Sequence, residues 1–272
     1  MTMRVMVNGL PGNMATLVVE RLLSGGHEVI PFALTGPEID SPDIEIQGHQ
    51  IRLIKDDKDD AIKSVKFDHW PFQIVDFTHP NAAVSNAELY CKYGLPFVMG
   101  TTGGDPKAIK RVVEESGNTA VLAPNMAPPI VVIQAMFEYA GLHFPGALEG
   151  YKLKVNESHQ QGKADTSGTA KAMVEYFNRL GCVPFTVEQI GKMRDPAIQI
   201  QMGVPKKHLD GHAHHNYTLR SPDGTVALGL MHNINGRDAY VDGAMLALEF
   251  LNKKLATGER GLYSMIDVLS AE

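Results

Sequence analysis

The segment RVMVNGLPGNMATLVVERLL, residues 4–23, is the most informative part of the sequence for the fold class. It predicts a short apolar strand over 4–8, a turn that carries Gly9 and Gly12, and a helix over 12–24. Glycines between a strand and a helix let backbone amides approach a phosphate group at the positive end of the helix. The pair is shorter than the full G-x-G-x-x-G fingerprint, and an ordinary turn is the alternative. Its place at the first strand–helix turn favours dinucleotide binding.

Strand-like and helix-like segments alternate over the rest of the first half of the chain. The further apolar runs are 27–34, 72–78, 95–100 and 119–124, with helical patterns at 81–93 and 105–116. This alternation predicts an α/β, Rossmann-like, doubly wound parallel sheet. The acidic segment 35–60 interrupts it, and we expect irregular structure there, with a solvated loop or helix face at KDDKDDAIK.

The pattern of strand-like and helix-like segments changes after about residue 126. A helix-like segment at 129–142, a strand that runs into His159, a helix at 167–180 and strand-like runs between 184 and 235 follow. They predict a second, α+β domain with a mixed or antiparallel sheet. We therefore expect a dinucleotide-binding domain at 1–126 and a substrate-binding and oligomerisation domain at 127–237, with 238–272 packed back on the first.

The composition excludes several classes of function. The 272 residues carry a formal net charge of −6, which argues against a nucleic-acid or anionic-membrane partner. Two cysteines cannot form a disulfide framework, so a reducing compartment is expected. No apolar run reaches the length of a membrane span. The first strand begins almost at once, which predicts either a leaderless protein or a mature form without its transit peptide.

The ends of three predicted strands supply candidate cofactor contacts. The second strand ends at Thr35, followed by Gly36 and Pro37, without the acid that usually binds the ribose hydroxyls of NAD. Its absence favours NADPH, although no arginine follows to bind a 2′-phosphate, so NADH stays possible. The loops 100–105 and 123–129 follow two other strands, at the edge where such sheets bind ligands.

The segment NESHQQGKADTSGTAKA, residues 156–172, carries the candidate chemistry. The helix that begins near Ser167 has no acid in its first turn, so its amides are predicted to bind a substrate carboxylate, with a plain helix cap as the alternative. His159 and Lys163 precede it. Hydride reduction of a conjugated C=N group needs a proton at the neighbouring atom, and either side chain can act as the acid.

A second histidine cluster lies in HLDGHAHHNYTL, residues 208–219. His212 and His214 share a strand face, but neither cysteine nor a carboxylate set completes a ligand pattern. We expect a strand edge near the surface and no metal site.

Several motifs together resemble the dihydrodipicolinate reductase family of the diaminopimelate route to lysine. They are ESHQQGKADTSGTA, NGLPGNM, VDFTHP, FVMGTTGGD, APNM and HNINGRDAYVDGAM, and the resemblance covers essentially the whole chain. Gln160 and Gln161 stand where the bacterial pattern has a second histidine and an arginine, and Asn13 stands where it has an arginine. These departures are similar to the plant-type branch.

The resemblance implies a set of site residues. The cofactor contacts it implies, with Thr35 added from the strand end, are Gly9, Leu10, Pro11, Gly12, Asn13, Met14, Thr35, Gly100, Thr101, Thr102, Ala123, Pro124, Asn125 and Met126. His159 and Lys163 are the catalytic pair, and Gly168 and Thr169 bind a substrate carboxylate. Ser167, from the same helix start, and Gln160, whose amide can donate a hydrogen bond, are added as predicted substrate contacts. The plant-type branch also implies a homodimer rather than a tetramer, in the plastid stroma of a plant or alga and otherwise in the cytoplasm.

The predicted function is NAD(P)H-dependent reduction of 4-hydroxy-tetrahydrodipicolinate, or dihydrodipicolinate, to tetrahydrodipicolinate. The hydride comes from the nicotinamide and the proton from Lys163. A related dehydrogenase acting on another amino or semialdehyde acid is one alternative. A non-catalytic nucleotide-sensing protein is another.

Overall fold

The computed structural model describes residues 2–101, 104–163 and 166–271. It divides into two compact units. One consists of Met1–Pro128 with Tyr240–Glu272, and the other of Pro129–Ala239.

The strands are β1 (Arg4–Asn8), β2 (Glu28–Val29), β3 (Phe32–Leu34), β4 (Asp43–Ile46), β5 (His49–Ile54), β6 (Gln73–Asp76), β7 (Phe97–Met99), β8 (Thr119–Leu122), β9 (Lys152–His159), β10 (Gly191–Met193), β11 (His212–Arg220), β12 (Ala227–Asn235) and β13 (Gly261–Ser264). The helices are α1 (Asn13–Ser24), α2 (Lys58–His69), α3 (Ala83–Lys92), α4 (Pro106–Ser116), α5 (Pro128–His143), α6 (Gly168–Arg179), α7 (Pro196–Gln201), α8 (Asp238–Thr257) and α9 (Met265–Ser270).

The first unit is built on a six-stranded sheet in the order β13-β8-β7-β6-β1-β2, in which every paired neighbour is parallel. The strands are short and apolar because a parallel sheet between helices is buried on both faces. β13, near the end of the chain, adds to this sheet beside β8. The predicted Rossmann-like class is confirmed.

The segment 27–54 differs from the prediction. The expected single strand 27–34 is divided at Pro31, which has no N–H for a ladder, into β2 of the large sheet and β3 of a separate three-stranded sheet. β4 and β5 form an antiparallel hairpin, so the expectation of irregular structure here was wrong. The turn of the hairpin consists of Gln47 and Gly48, both with positive φ, as a two-residue hairpin loop requires.

The second unit holds a four-stranded mixed sheet in the order β10-β9-β11-β12. β9 is parallel to β10 and antiparallel to β11, and β11 is antiparallel to β12. The buried stripe of α6 belongs to one core cluster with β9 and β11, which includes Met173, Phe177, Val155 and Tyr217. The predicted mixed sheet is confirmed.

One face of this sheet changes from apolar to polar side chains along the length of β9 and β11. Val155, Glu157 and His159 share a face of β9, and Tyr217 and His215 stand opposite Val155 and Glu157 on β11. The packed core is therefore continuous with a cluster of buried ionisable groups.

The histidine-rich strand β11 lies inside the sheet, so our expectation of a strand edge was wrong. Its three histidines, His212, His214 and His215, are all buried. Among the described residues, none of the helices combines the length and apolar character needed to span a membrane.

Candidate active site

The turn between β1 and α1 accepts only glycine at two positions. A Cβ on Gly9, which has φ of +102°, would lie 2.5 Å from the backbone oxygen of Phe77, and one on Gly12 would lie 2.7 Å from the oxygen of Gly9. Pro11, Gly12 and Asn13 are exposed, and the first turn of α1 has no acidic side chain. A bare, exposed helix start behind a tight glycine turn fits the diphosphate of a dinucleotide.

The end of β3 is tied to this turn. The Gly9 N–H donates to the oxygen of Leu34 at 2.8 Å, and the hydroxyl of buried Thr35 donates to the oxygen of Leu10 at 2.5 Å. Thr35 therefore stabilises the turn through its side-chain hydrogen bond. Beyond it, the Glu38 carboxylate folds over Gly36, with both oxygens 2.3 Å from where a Cβ on Gly36 would lie. Glu38 lies three residues beyond Thr35, at which the sequence predicts the end of the second strand without an acid.

A buried carboxylate connects the loops after β6 and β7. Asp76 accepts hydrogen bonds from the backbone N–H and hydroxyl of Thr78, from the hydroxyls of Thr101 and Tyr90, and from the Asn86 amide. Burial, with the Asp76 charge, raises the pKa of Tyr90 well above its ordinary value, so Tyr90 stays a donor. The network holds Thr101 in place. Thr102, the next predicted contact, lies outside the described residues.

The loop after β8 is packed tightly against α8 of the same unit. A Cβ on Gly243 would lie 1.6 Å from the backbone oxygen of Met126. Asn125 accepts from the Ala127 N–H at 3.0 Å, and Ala123 donates to Met99 at 2.9 Å. Gly100, in the neighbouring loop, would place a Cβ 2.7 Å from the Met126 side chain. Both predicted nicotinamide loops thus lie at the carboxyl ends of adjacent parallel strands.

In the second unit, the centre of the polar face is Glu157, whose side chain is fully buried. Arg194 Nη2 pairs with Oε1, and the backbone N–H of Ser167 donates to Oε2 at 3.0 Å. The start of α6 is thus partnered by a carboxylate from β9, whereas the sequence predicted uncompensated amides there. The first turn of α6 itself has no acid, as predicted.

Arg194 and Gln199 hold the backbone that carries the predicted catalytic pair. Arg194 Nε donates to the carbonyl of Lys163 at 2.9 Å, and Gln199 Nε2 donates to the carbonyl of His159 at 2.7 Å. The Lys163 N–H closes the turn on the Gln160 carbonyl at 3.0 Å. The positions of His159 and Lys163 are therefore set by side chains more than 30 residues further along the chain.

His159 is neutral at neutral pH. Burial, then the positive charges of Lys163 and Arg194, lower its pKa from 6.5 to about 3. Glu157 Oε2 lies 4.0 Å from Nε2 but is already engaged by the Ser167 N–H.

The space in front of α6 is open at Gly168. This residue is exposed, and a Cβ on it would meet no heavy atom of the described residues within 4 Å. Thr169 and Gln160 are half-buried, and Ser167 is buried. The predicted substrate contacts thus lie directly after β9 and at the start of α6.

Glu157, His159 and His215 present three possible metal-ligand atoms within 4.8 Å of one another. All three side chains already have partners, since Glu157 pairs with Arg194 and the two histidines contact each other. The cations Arg194 and Lys163 also oppose a divalent ion there. The rings of His212 and His214 contact each other edge to face, with centroids 5.3 Å apart, as expected for one strand face. Each also has its own polar partner, since His212 contacts Ser158 and His214 contacts Asn235, both at 2.8 Å.

The residues that the sequence did not predict for this site are Glu157, Arg194, Gln199 and His215. Only Glu157 had a local signal, because it shares with His159 the face of a strand that runs into the predicted site. The other three reach it through strand pairing and long-range hydrogen bonds.

Both halves of the chain match one family. Residues 3–126 match the profile described as dihydrodipicolinate reductase, N-terminus, and residues 130–269 match that of the C-terminus. The chain is 42% identical, over 97% of its length and 78% of the relative, to "Probable 4-hydroxy-tetrahydrodipicolinate reductase 1, chloroplastic" of Oryza sativa subsp. japonica. It is also 42% identical to the chloroplastic reductase 2 of Arabidopsis thaliana, over 97% of this chain and 76% of that one.

Among solved structures, the chain is similar to the dipicolinate-bound dihydrodipicolinate reductase of Paenisporosarcina sp. TG-14. The TM-score is 0.66 at 18% identity, covering 97% of this chain and 98% of the other, which shows the shared fold. The sequence matches cover nearly every residue of both units. The chain therefore belongs to the dihydrodipicolinate reductase family, and it is an oxidoreductase that uses a nicotinamide cofactor and a small-molecule substrate.

Proposed function

We propose that this protein reduces 4-hydroxy-tetrahydrodipicolinate, or the dihydrodipicolinate formed from it by loss of water, to tetrahydrodipicolinate. The observation that carries this proposal is the His159–Lys163 turn, held by Arg194 beside the open start of α6, in a chain that matches this family over both halves. A bound nicotinamide cofactor supplies the hydride for this reduction.

Lys163 is the proton donor in this proposal. A general acid must hold a proton at the working pH, and the pKa of about 3 leaves His159 without the charged, donating form. The lysine is placed by its own backbone, through the Arg194 and Gln160 hydrogen bonds. His159 is then a neutral neighbour of the substrate and leaves the transferable proton on Lys163.

The substrate is a dicarboxylate, and the second unit offers donors suited to one. We assign one carboxylate to the backbone amides of Gly168 and Thr169 at the start of α6, because a helix start attracts anions. Gln160 and the hydroxyl of Ser167 are the further contacts, since the Ser167 N–H is occupied by Glu157.

The cofactor contacts that we propose are those of the first unit named above, at the glycine turn and at the loops after β7 and β8. NADPH remains our proposed cofactor, with NADH also accepted. The Glu38 carboxylate supports the acceptance of NADH, because an acid beside this turn can bind the ribose hydroxyls and repels a 2′-phosphate.

A homodimer is the oligomeric state that we propose. β12 is the last strand of the mixed sheet within the described part of the chain, and it exposes Leu228 and Met231. Exposed apolar side chains on the edge strand of a sheet are typical of an interface. Sedimentation analysis of wild type and Met231→Glu tests the dimer, and a monomeric wild type contradicts it.

The location we propose is the plastid stroma if the source is a plant or alga, and otherwise the cytoplasm.

The deciding experiment is a coupled assay. Substrate is generated freshly by the synthase that precedes this step, and oxidation of NADPH and of NADH is followed by absorbance. We expect turnover with wild type, and loss of most turnover in Lys163→Ala with cofactor affinity retained. Turnover only with another amino or semialdehyde acid would support the first alternative, and cofactor binding without turnover would support the nucleotide sensor.

A further inference from the structure

Three buried side chains, those of His159, His215 and Tyr217, form a row that runs into the core of the second unit. His159 Nε2 lies 3.2 Å from His215 Nε2, and His215 Nδ1 lies 3.0 Å from the Tyr217 hydroxyl. At the other end, His159 Nδ1 lies 3.2 Å from the backbone carbonyl of His212. Strand alternation produces this row, because His215 and Tyr217 are two residues apart on β11 and β9 runs beside it.

The backbone carbonyl at one end determines where every proton lies. A carbonyl only accepts, so His159 Nδ1 carries the hydrogen and Nε2 of the neutral ring carries the lone pair. The facing His215 Nε2 must then donate, which leaves His215 Nδ1 as the acceptor of the Tyr217 hydroxyl. Each polar atom in the row has a partner under this assignment, and it requires both rings to be neutral.

The surroundings keep both rings neutral. Burial lowers the pKa of His215 well below its ordinary value, with contributions from His232, His159, Arg194 and His214. Burial also raises the pKa of Tyr217, assisted by the Glu157 charge, so the hydroxyl keeps its proton. The charged and titratable groups around His159 are Lys163 on its loop, Glu157 on β9, Arg194 after β10, and His212 and His215 on β11.

We propose that His215 is a positioning residue that holds His159 as its Nδ1–H tautomer, with Tyr217 holding His215 in turn. This inference rests on the proposed function, in which His159 stands beside the proton-donating Lys163. His215 Nε2 donates a hydrogen bond to the lone pair on Nε2 of His159. The imidazole therefore neither takes the proton of Lys163 nor rotates away from the substrate.

Two amide variants of His215 separate this role from general packing. The amide nitrogen of glutamine reaches about as far along the side chain as Nε2 of histidine, whereas that of asparagine reaches only as far as Nδ1. His215→Gln therefore keeps a donor for His159. His215→Asn keeps a partner for Tyr217 but removes that donor.

The first measurement is independent of any substrate. Two-bond ¹H–¹⁵N correlation spectra of histidine-labelled protein report the tautomer of His159. We expect the Nδ1–H form in wild type and in His215→Gln. In His215→Asn the titration midpoint of His159 should rise from about 3, because the neutral form has lost its donor. An Nε2–H tautomer in wild type, or an unchanged midpoint in His215→Asn, would overturn the proposal.

The second measurement is turnover in the coupled assay. Hydrogen-bond partners that orient metal-bound histidines typically contribute about 10- to 100-fold in affinity or activity. We expect a fall in kcat of this size for His215→Asn, recovery in His215→Gln, and unchanged KM for the cofactor in both.

His214→Asn is the matched control, since His214 is the neighbouring buried histidine of β11 and contacts Asn235 instead. Equal kcat in the two His215 variants contradicts the proposal. If wild type fails to turn over the substrate, the proposed function fails, and the spectra still decide the role of His215.

Discussion

The Glu157 carboxylate and the Arg194 guanidinium form an ion pair in which the carboxylate is fully buried and the arginine side chain is 17% exposed. The same arginine donates Nε to the Lys163 carbonyl, and the other carboxylate oxygen accepts the Ser167 N–H. One pair therefore joins the end of β9, the segment after β10, the loop of Lys163 and the start of α6.

Removal of Arg194 should destabilise the protein more than removal of the charge on Glu157. Arg194→Met leaves a buried carboxylate without its counter-ion, which typically costs about 3–5 kcal/mol. Glu157→Gln removes the buried charge and keeps one oxygen acceptor, for either Arg194 or the Ser167 N–H. Urea unfolding of the two variants and of the double variant measures this. We expect the double variant to be more stable than Arg194→Met alone, and purely additive effects would show that the pair is not coupled.

The parts of this site that follow from local sequence could be predicted. The glycine turn, the His159–Lys163 spacing and the acid-free start of α6 each lie within a few residues of the element that uses them, so a strand–turn–helix pattern reveals them. Both domain classes followed from the same alternation of elements.

The parts that depend on strand pairing could not be predicted. Arg194 lies 37 residues from Glu157 and His215 lies 56 residues from His159, and only the sheet order brings them together. The hairpin at 43–54 is different, because alternating side chains around Gln47 and Gly48 form a local signal that the acidic character of the segment obscured.

Asp76→Asn should weaken both the first unit and its cofactor binding. Asp76 accepts from several donors, including the hydroxyls of Thr101 and Tyr90, and an amide group offers two hydrogens where those donors already point. An unsatisfied buried polar group costs about 1–3 kcal/mol. Urea unfolding and NADPH titration by fluorescence measure the two effects. Tyr90→Phe, which removes one donor to Asp76 together with the acceptor of the Asn8 amide, is the control and should lose less cofactor affinity.

Stability should fall as the pH drops below about 6.5. The pKa values of His159 and His232 are lowered by burial to about 3 and about 4, and that of His215 lies well below 6.5. Their contribution is complete above the unfolded value of 6.5 and is lost as the pH falls toward the folded values, because only the unfolded chain takes up protons in this range. Each histidine adds about 1.4 kcal/mol per pH unit to the slope.

His232→Phe tests this assignment. Neither ring nitrogen of His232 has a hydrogen-bond partner within the described residues, and the ring stacks on His215 at 4.6 Å, so an aromatic replacement keeps the packing. Free energies of unfolding at pH 7.5, 6.0 and 5.0 should show a slope smaller by about 1.4 kcal/mol per pH unit than wild type. An identical slope would mean that His232 is already protonated in the folded protein at pH 5.

Glu38→Ala should shift the cofactor preference toward NADPH. The Glu38 carboxylate folds over Gly36 at the end of the β3 segment, which is itself hydrogen-bonded to the glycine turn through Leu34 and Thr35. A carboxylate there binds ribose hydroxyls and repels a 2′-phosphate, so its removal should raise the NADPH-to-NADH ratio of kcat/KM by about tenfold, or 1.4 kcal/mol. Asp40→Asn, which neutralises an exposed acid two residues further on, should leave the ratio unchanged. An unchanged ratio in Glu38→Ala would place the ribose away from this turn.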